Sequence, residues 1–103
     1  NMKEIKEKNK MKYRKKPVII EAFQMTRSRM TDRSDWPEWL HEALDKPTVE
    51  FGSLCFVEST FLLTTPEGIL AINADDWVIR GVQGELYPIK PDIFEMTYEK
   101  VEY

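Results

Sequence analysis

The sequence predicts an α+β domain, mainly antiparallel β, forming a curved sheet or a small partly open barrel with one short helix packed on it. Three observations lead there. After Thr48, seven short runs rich in β-branched and aromatic residues alternate with Gly, Pro and Asp clusters, the rhythm of a meander. One stretch alone, residues 36–44, repeats its apolar positions at helical spacing. The length of 103 residues, 42% hydrophobic and 32% charged, suits one small domain with a single core.

The chain opens on a basic segment. Residues 3–16 carry eight Lys and Arg against Glu4 and Glu7, a balance of +6, which leaves −9 for the rest of a chain whose total is −3. Asn1 ahead of Met2 reads as a leftover residue and Met11 offers a second start, so residues 1–11 are expected to be a flexible basic extension and residues 12–103 the domain. Pro17 closes the basic run, and VIIEAFQM at 18–25 is expected to be a first strand, apolar on both faces and therefore inside the sheet. The polar stretch TRSRMTDRSD at 26–35 has no periodicity and reads as an exposed loop.

Asp35 with Glu38 three residues later has the form of a capping box, and Pro37 suits a first helical turn. Trp36, Leu40, Ala43 and Leu44 form the apolar stripe that follows, flanked by Trp39, and Pro47 ends it. The strand-like runs then are 48–51, 54–58, 60–65, 69–73, 76–81, 85–89 and 94–101. Pro66-Glu67-Gly68 is a hairpin signal, because glycine takes the positive φ that closes such a loop, and Gly81 and Gly84 are expected to do the same for the next one. Pro88 and Pro91 deny the ladder two donors, so an edge or a bend is expected there. Asp92 is expected to cap a single helical turn, after which Phe94, Met96 and Tyr98 alternate with polar residues as a final strand that closes the sheet.

Several chemistries lack their parts. One cysteine, Cys55, makes no internal disulfide, and with the single His41 it does not fill a structural zinc site; Cys55 reads as a small core residue and His41 as a surface one. The pair Gly81 and Gly84 is no phosphate loop, since neither a Lys-Ser or Lys-Thr nor a helix follows it. No cofactor is expected, and no run is long and apolar enough for a membrane span. Asp75 and Asp76 are neighbours and read as turn residues, while Glu21, Asp76 and Glu85 become metal ligands or an acid and base pair only if the strands bring them together.

Binding is better supplied with residues. Trp77, Arg80, Tyr87 and Lys90 combine aromatic surface with cationic donors, the materials for stacking a base and gripping an anion. Two readings are open: these four line a ligand pocket, or Trp77 fills the core while Arg80 pairs with an acidic residue such as Glu85 across the hairpin. Lys12, Arg14, Lys15 and Lys16 are candidate nucleic-acid contacts, or simply a solvated arm.

Two blocks carry a resemblance. KYRKKPVIIEAFQ at 12–24, and DWVIRGVQGE at 76–85 running through YPIKPDIF to TYE at 97–99, resemble a family of small phage and prophage proteins, whose members commonly have Gly where Asp75 stands and often Cys where Ile89 stands. The resemblance implies a viral or prophage origin and assigns no catalytic role; a site of action in the cytoplasm of the host cell is expected from the lack of an export signal in the sequence. The expectation is thus a noncatalytic accessory protein that binds another protein or itself, homodimerising through unpaired strand edges near the Pro-rich exit. Binding of a small anion or nucleic acid, and metal-assisted hydrolysis, are the alternatives.

Overall fold

The computed structural model describes residues 11–102, so the expected extension at 1–11 falls, except for Met11, outside the described residues. Six strands form two antiparallel sheets. Strand β1 is Glu21–Gln24, followed by a 3-10 turn at Ser28–Met30 and helix α1 at Glu38–Asp45. Strands β2 (Leu54–Val57), β3 (Thr60–Thr65) and β4 (Gly68–Ile72) make a consecutive meander, and β5 (Trp77–Arg80) and β6 (Leu86–Ile89) return to join β1 in the order β1-β5-β6. Helix α2, Pro91–Thr97, ends the regular structure.

The α+β, mainly antiparallel class is therefore observed, but the two sheets do not close into a barrel. The alternation of β3 explains the layering: Phe61, Leu63 and Thr65 are buried while the residues between them are half-exposed. Phe61 and Leu63 join Leu54 and Ile72 of the same sheet, Val78 and Leu86 of the other, and Trp36, Leu40 and Ala43 of the helical segment in one core. Cross-strand partners share a face, so Phe23, Val78 and Pro88 look into this core. Ala22, Ile79 and Tyr87, with Gln24, Trp77 and Ile89, look the other way.

Five expectations are corrected. The first strand is four residues rather than eight and is an edge, not an interior strand, because β5 has no residue left to pair with 18–20; Val18 and Ile19 are 49% and 66% exposed. Residues 48–51 make turns in place of a strand, with Val49 86% exposed. Asp35 does not cap α1, whose N-cap Pro37 has no side-chain acceptor; the carboxylate takes Arg29 instead, at 3.0 Å. Cys55 is half-buried on the outer face of its sheet, not in the core. The final strand is absent: Pro91 stands at the start of a helix, where its missing N–H costs nothing, and the alternation of Phe94 and Tyr98 is equally the i, i+4 spacing of one helical face.

The turns follow the expected chemistry with one exception. Gly68 and Gly84 hold φ of +116° and +80°, as their hairpins demand, whereas Gly81 does not take a positive φ and an added Cβ there would only have to displace the exposed Glu85 carboxylate. Asp75 also has positive φ, +75°, a backbone that Asp tolerates better than most residues with a side chain. The stretch 26–35 is less loose than its composition suggests. Arg29 donates to the Gln24 carbonyl at 2.9 Å, lies 4.3 Å over the Phe23 ring and binds Asp35, and the Trp36 indole donates to the Arg29 carbonyl.

Candidate functional site

The face of β1-β5-β6 that points away from the core carries a cleft of about 550 Å³. Its floor is aromatic. The Phe94 ring stacks on Trp77 with centroids 3.9 Å apart and planes 8° from parallel, and Tyr98, one helical turn on, stacks on Phe94 at 5.3 Å. One wall is the β-prone run Val18, Ile19 and Ile20 leading into β1; the other is the chain after α2, with Glu99, Lys100 and Val101. The Tyr98 hydroxyl shares a hydrogen bond of 3.2 Å with that of Tyr87, which fastens α2 to β6.

That phenol pair has a measurable signature. The Tyr87 hydroxyl is pushed up to about 12, first by burial, then by the hydrogen bond with Tyr98 and by the negative charge of Tyr98 and Glu85. The folded state thus holds this proton more tightly than the unfolded chain, with its ordinary value of 10.0. The stability it contributes is complete below pH 10 and is lost as the pH rises through about 12. An ultraviolet phenolate titration should show one late tyrosine near pH 12 that disappears in Tyr87→Phe. A Tyr87 midpoint at the ordinary value would contradict the packing of α2 on β6.

The four residues proposed from sequence are not gathered. Trp77 lines the cleft, while Tyr87 lines a separate hollow of about 420 Å³ with Pro66, Leu70 and Leu86. Arg80 and Lys90 lie at opposite ends of β5, since Arg80 faces Leu86 and Trp77 faces Ile89, a separation of about 13 Å along the strands. Each is held by a carboxylate. Arg80 pairs with an acidic residue as expected, donating to Glu21 Oε1 at 2.9 Å, while Glu85, the example the sequence offered, turns back to accept the Gln83 N–H. Lys90 bonds the buried Asp76 at 3.1 Å.

The carboxylates Glu21, Asp76 and Glu85 do not converge either. Glu21 and Glu85 belong to the Arg80 end, and Asp76 to the far end, where it also accepts the Asn73 N–H. Among the described residues no three His, Cys, Asp or Glu side chains form a group able to hold a metal ion. Lys12, Arg14, Lys15 and Lys16 are exposed, lie outside any helix or strand, and take part in none of the ion pairs among the described residues.

Sequence reasoning missed Phe94, Tyr98 and the 18–20 wall as site residues. The available signal was Pro91 in a first helical turn with aromatics at i, i+4 behind it. No helix among the described residues is long and apolar enough to cross a membrane. Set against family models, curated proteins and solved structures, the chain matches none of them.

Proposed function

We propose that the protein is a noncatalytic interaction module of phage or prophage origin, acting in the host cytoplasm, that takes up an extended polypeptide along the edge of β1. One observation carries this: β1 is an edge strand beside an apolar aromatic cleft, and the strand-forming run before it pairs with no strand among the described residues. Main-chain hydrogen bonds to an added strand would supply affinity, and the cleft would select alternate side chains.

The geometry of the edge favours β1 over β6. Gly81 donates its N–H to the Glu85 carbonyl at 2.8 Å, so ladder alternation turns the Pro88 nitrogen outward, and that edge lacks a donor where an added strand needs one. By the same alternation Glu21 and Phe23 bond toward β5, and Ala22 presents both its N–H and its carbonyl outward.

Panning a display library of random linear peptides tests the reading. Enriched peptides should be β-prone with alternating apolar residues, and should lose binding to Ala22→Pro, which removes one outward donor and leaves the β5 ladder intact. Enrichment of nothing, or of peptides indifferent to Ala22→Pro and to Trp77→Leu, would overturn it.

A second reading, nucleic-acid binding, draws on the four exposed cations at 12–16, which form no ion pair among the described residues. It predicts a steeply salt-dependent affinity for any oligonucleotide. A small-anion site at Arg80 and Lys90 has less support, because both cations already hold carboxylates.

A further inference from the structure

We infer that the strand β1 receives is the same segment of a second copy, paired antiparallel about a two-fold axis centred on Val18. This rests on the reading of β1 as the partner-binding edge. Residues 18–20 are β-branched, run past the last residue of β5 and carry no ladder of their own. Two copies of such a run can complete each other, since an isologous interface requires one surface to be its own complement.

Register follows from charge. A two-fold between antiparallel strands passes through a residue facing its own copy, so paired residue numbers add to an even sum. Glu21 can therefore face only an odd-numbered residue, and of Lys12, Arg14, Lys15 and Lys16 the sole odd one is Lys15. Pairing Lys15 with Glu21 of the second copy centres the axis on Val18, an outward-facing position two steps before Ile20 and four before Ala22. The same register sets Tyr13 against Phe23 of the second copy, an aromatic pair. Pro17 then lies on the inward side, where its missing N–H is not needed.

The opposite face is also complementary. Lys16 and Arg14 come to lie opposite Ile20 and Ala22 of the second copy, beside the cleft wall at Glu99, Lys100 and Val101, part of a C-terminal stretch, 91–102, whose sequence has four carboxylates and one lysine. Glu21 is free to accept, because Arg80 takes only Oε1 and the second oxygen has no hydrogen bond among the described residues. Basic arm and acidic body, opposite in charge along the sequence, each find their complement in the other copy.

Light scattering from micromolar to millimolar concentration should show the mass rising from 12.2 kDa toward twice that value. Lys15→Glu and Glu21→Lys should each weaken the dimer roughly tenfold, and the double variant should restore it. The restoration also shows that the single variants fold. A strict monomer at millimolar concentration overturns the second copy as partner; if selected peptides still bind the Ala22 edge, the interaction-module reading survives, and if none do, both fall. A dimer indifferent to both charge reversals places the contact elsewhere and overturns the inference.

Discussion

Phe61→Ala should strip the domain of about 3–5 kcal/mol of stability, the range for deleting a buried aromatic ring. Phe61 is fully buried in the middle of β3, paired with Phe56 on one side and Ile72 on the other. Its ring meets Trp36 edge-on with centroids 5.3 Å apart and Phe56 at 4.7 Å, so one side chain joins the meander to the segment leading into α1. Neighbours on two sheets and a helix cannot all move into the space left by the ring. A domain of this size has total stability on the order of 5–10 kcal/mol, so the loss is a large share of it. Urea unfolding followed by far-ultraviolet circular dichroism checks this, with Phe61→Leu as the milder control expected to lose under half as much. A loss below about 1 kcal/mol would mean the packing around Phe61 is not the main core.

The second large effect belongs to Asp76→Ala, expected to cost about 2–3 kcal/mol by removing a buried carboxylate that accepts two charge-assisted hydrogen bonds. The side chain is only 4% exposed and binds two elements at once, accepting the Asn73 N–H at 2.9 Å and Lys90 Nζ at 3.1 Å. Its backbone carbonyl accepts the Met25 N–H, so the residue ties the β4–β5 connection to the ends of β1 and β6. Lys90→Met should cost less, about 1 kcal/mol, because the lysine is 55% exposed and water can replace part of its charge. Thermal and urea unfolding of both variants gives the order. If Lys90→Met were the more damaging, the ion pair rather than the turn would be the essential feature.

Much of this fold was legible because local chemistry and tertiary structure agree. The run TFLLTT, the turn Pro66-Glu67-Gly68 and the strand after it announce themselves by alternation and by a glycine that takes φ of +116°. Between β2 and β3 the two strands are equally plain but the turn is not, because Glu58 and Ser59 hold positive φ of 48° and 67° without a Gly or Asn to mark them. The C-terminal segment was misread for a different reason: Phe94, Met96 and Tyr98 satisfy a period of two, and Phe94 and Tyr98 also satisfy a helical turn. Stacking of Phe94 on Trp77 favours the helix, a tertiary contact that no local pattern encodes.

The candidate site was legible only at Trp77. Arg80 and Lys90 looked like anion donors in sequence, and their carboxylate partners, Glu21 and Asp76, are 59 and 14 residues away along the chain. The edge character of β1 was hidden as well. Its strand-forming run is longer than the strand it pairs with, and that mismatch is visible only once β5 is seen to end at Arg80.

Residue-resolved amide hydrogen exchange across a protein concentration series tests the working edge of β1 most directly. The Glu21 and Phe23 amides, turned toward β5, should be protected at every concentration. Those of Val18, Ile20 and Ala22 should exchange fast in dilute solution and gain protection together as the concentration rises. Fast exchange at all three up to millimolar concentration, or protection already complete in the dilute monomer, would contradict the account.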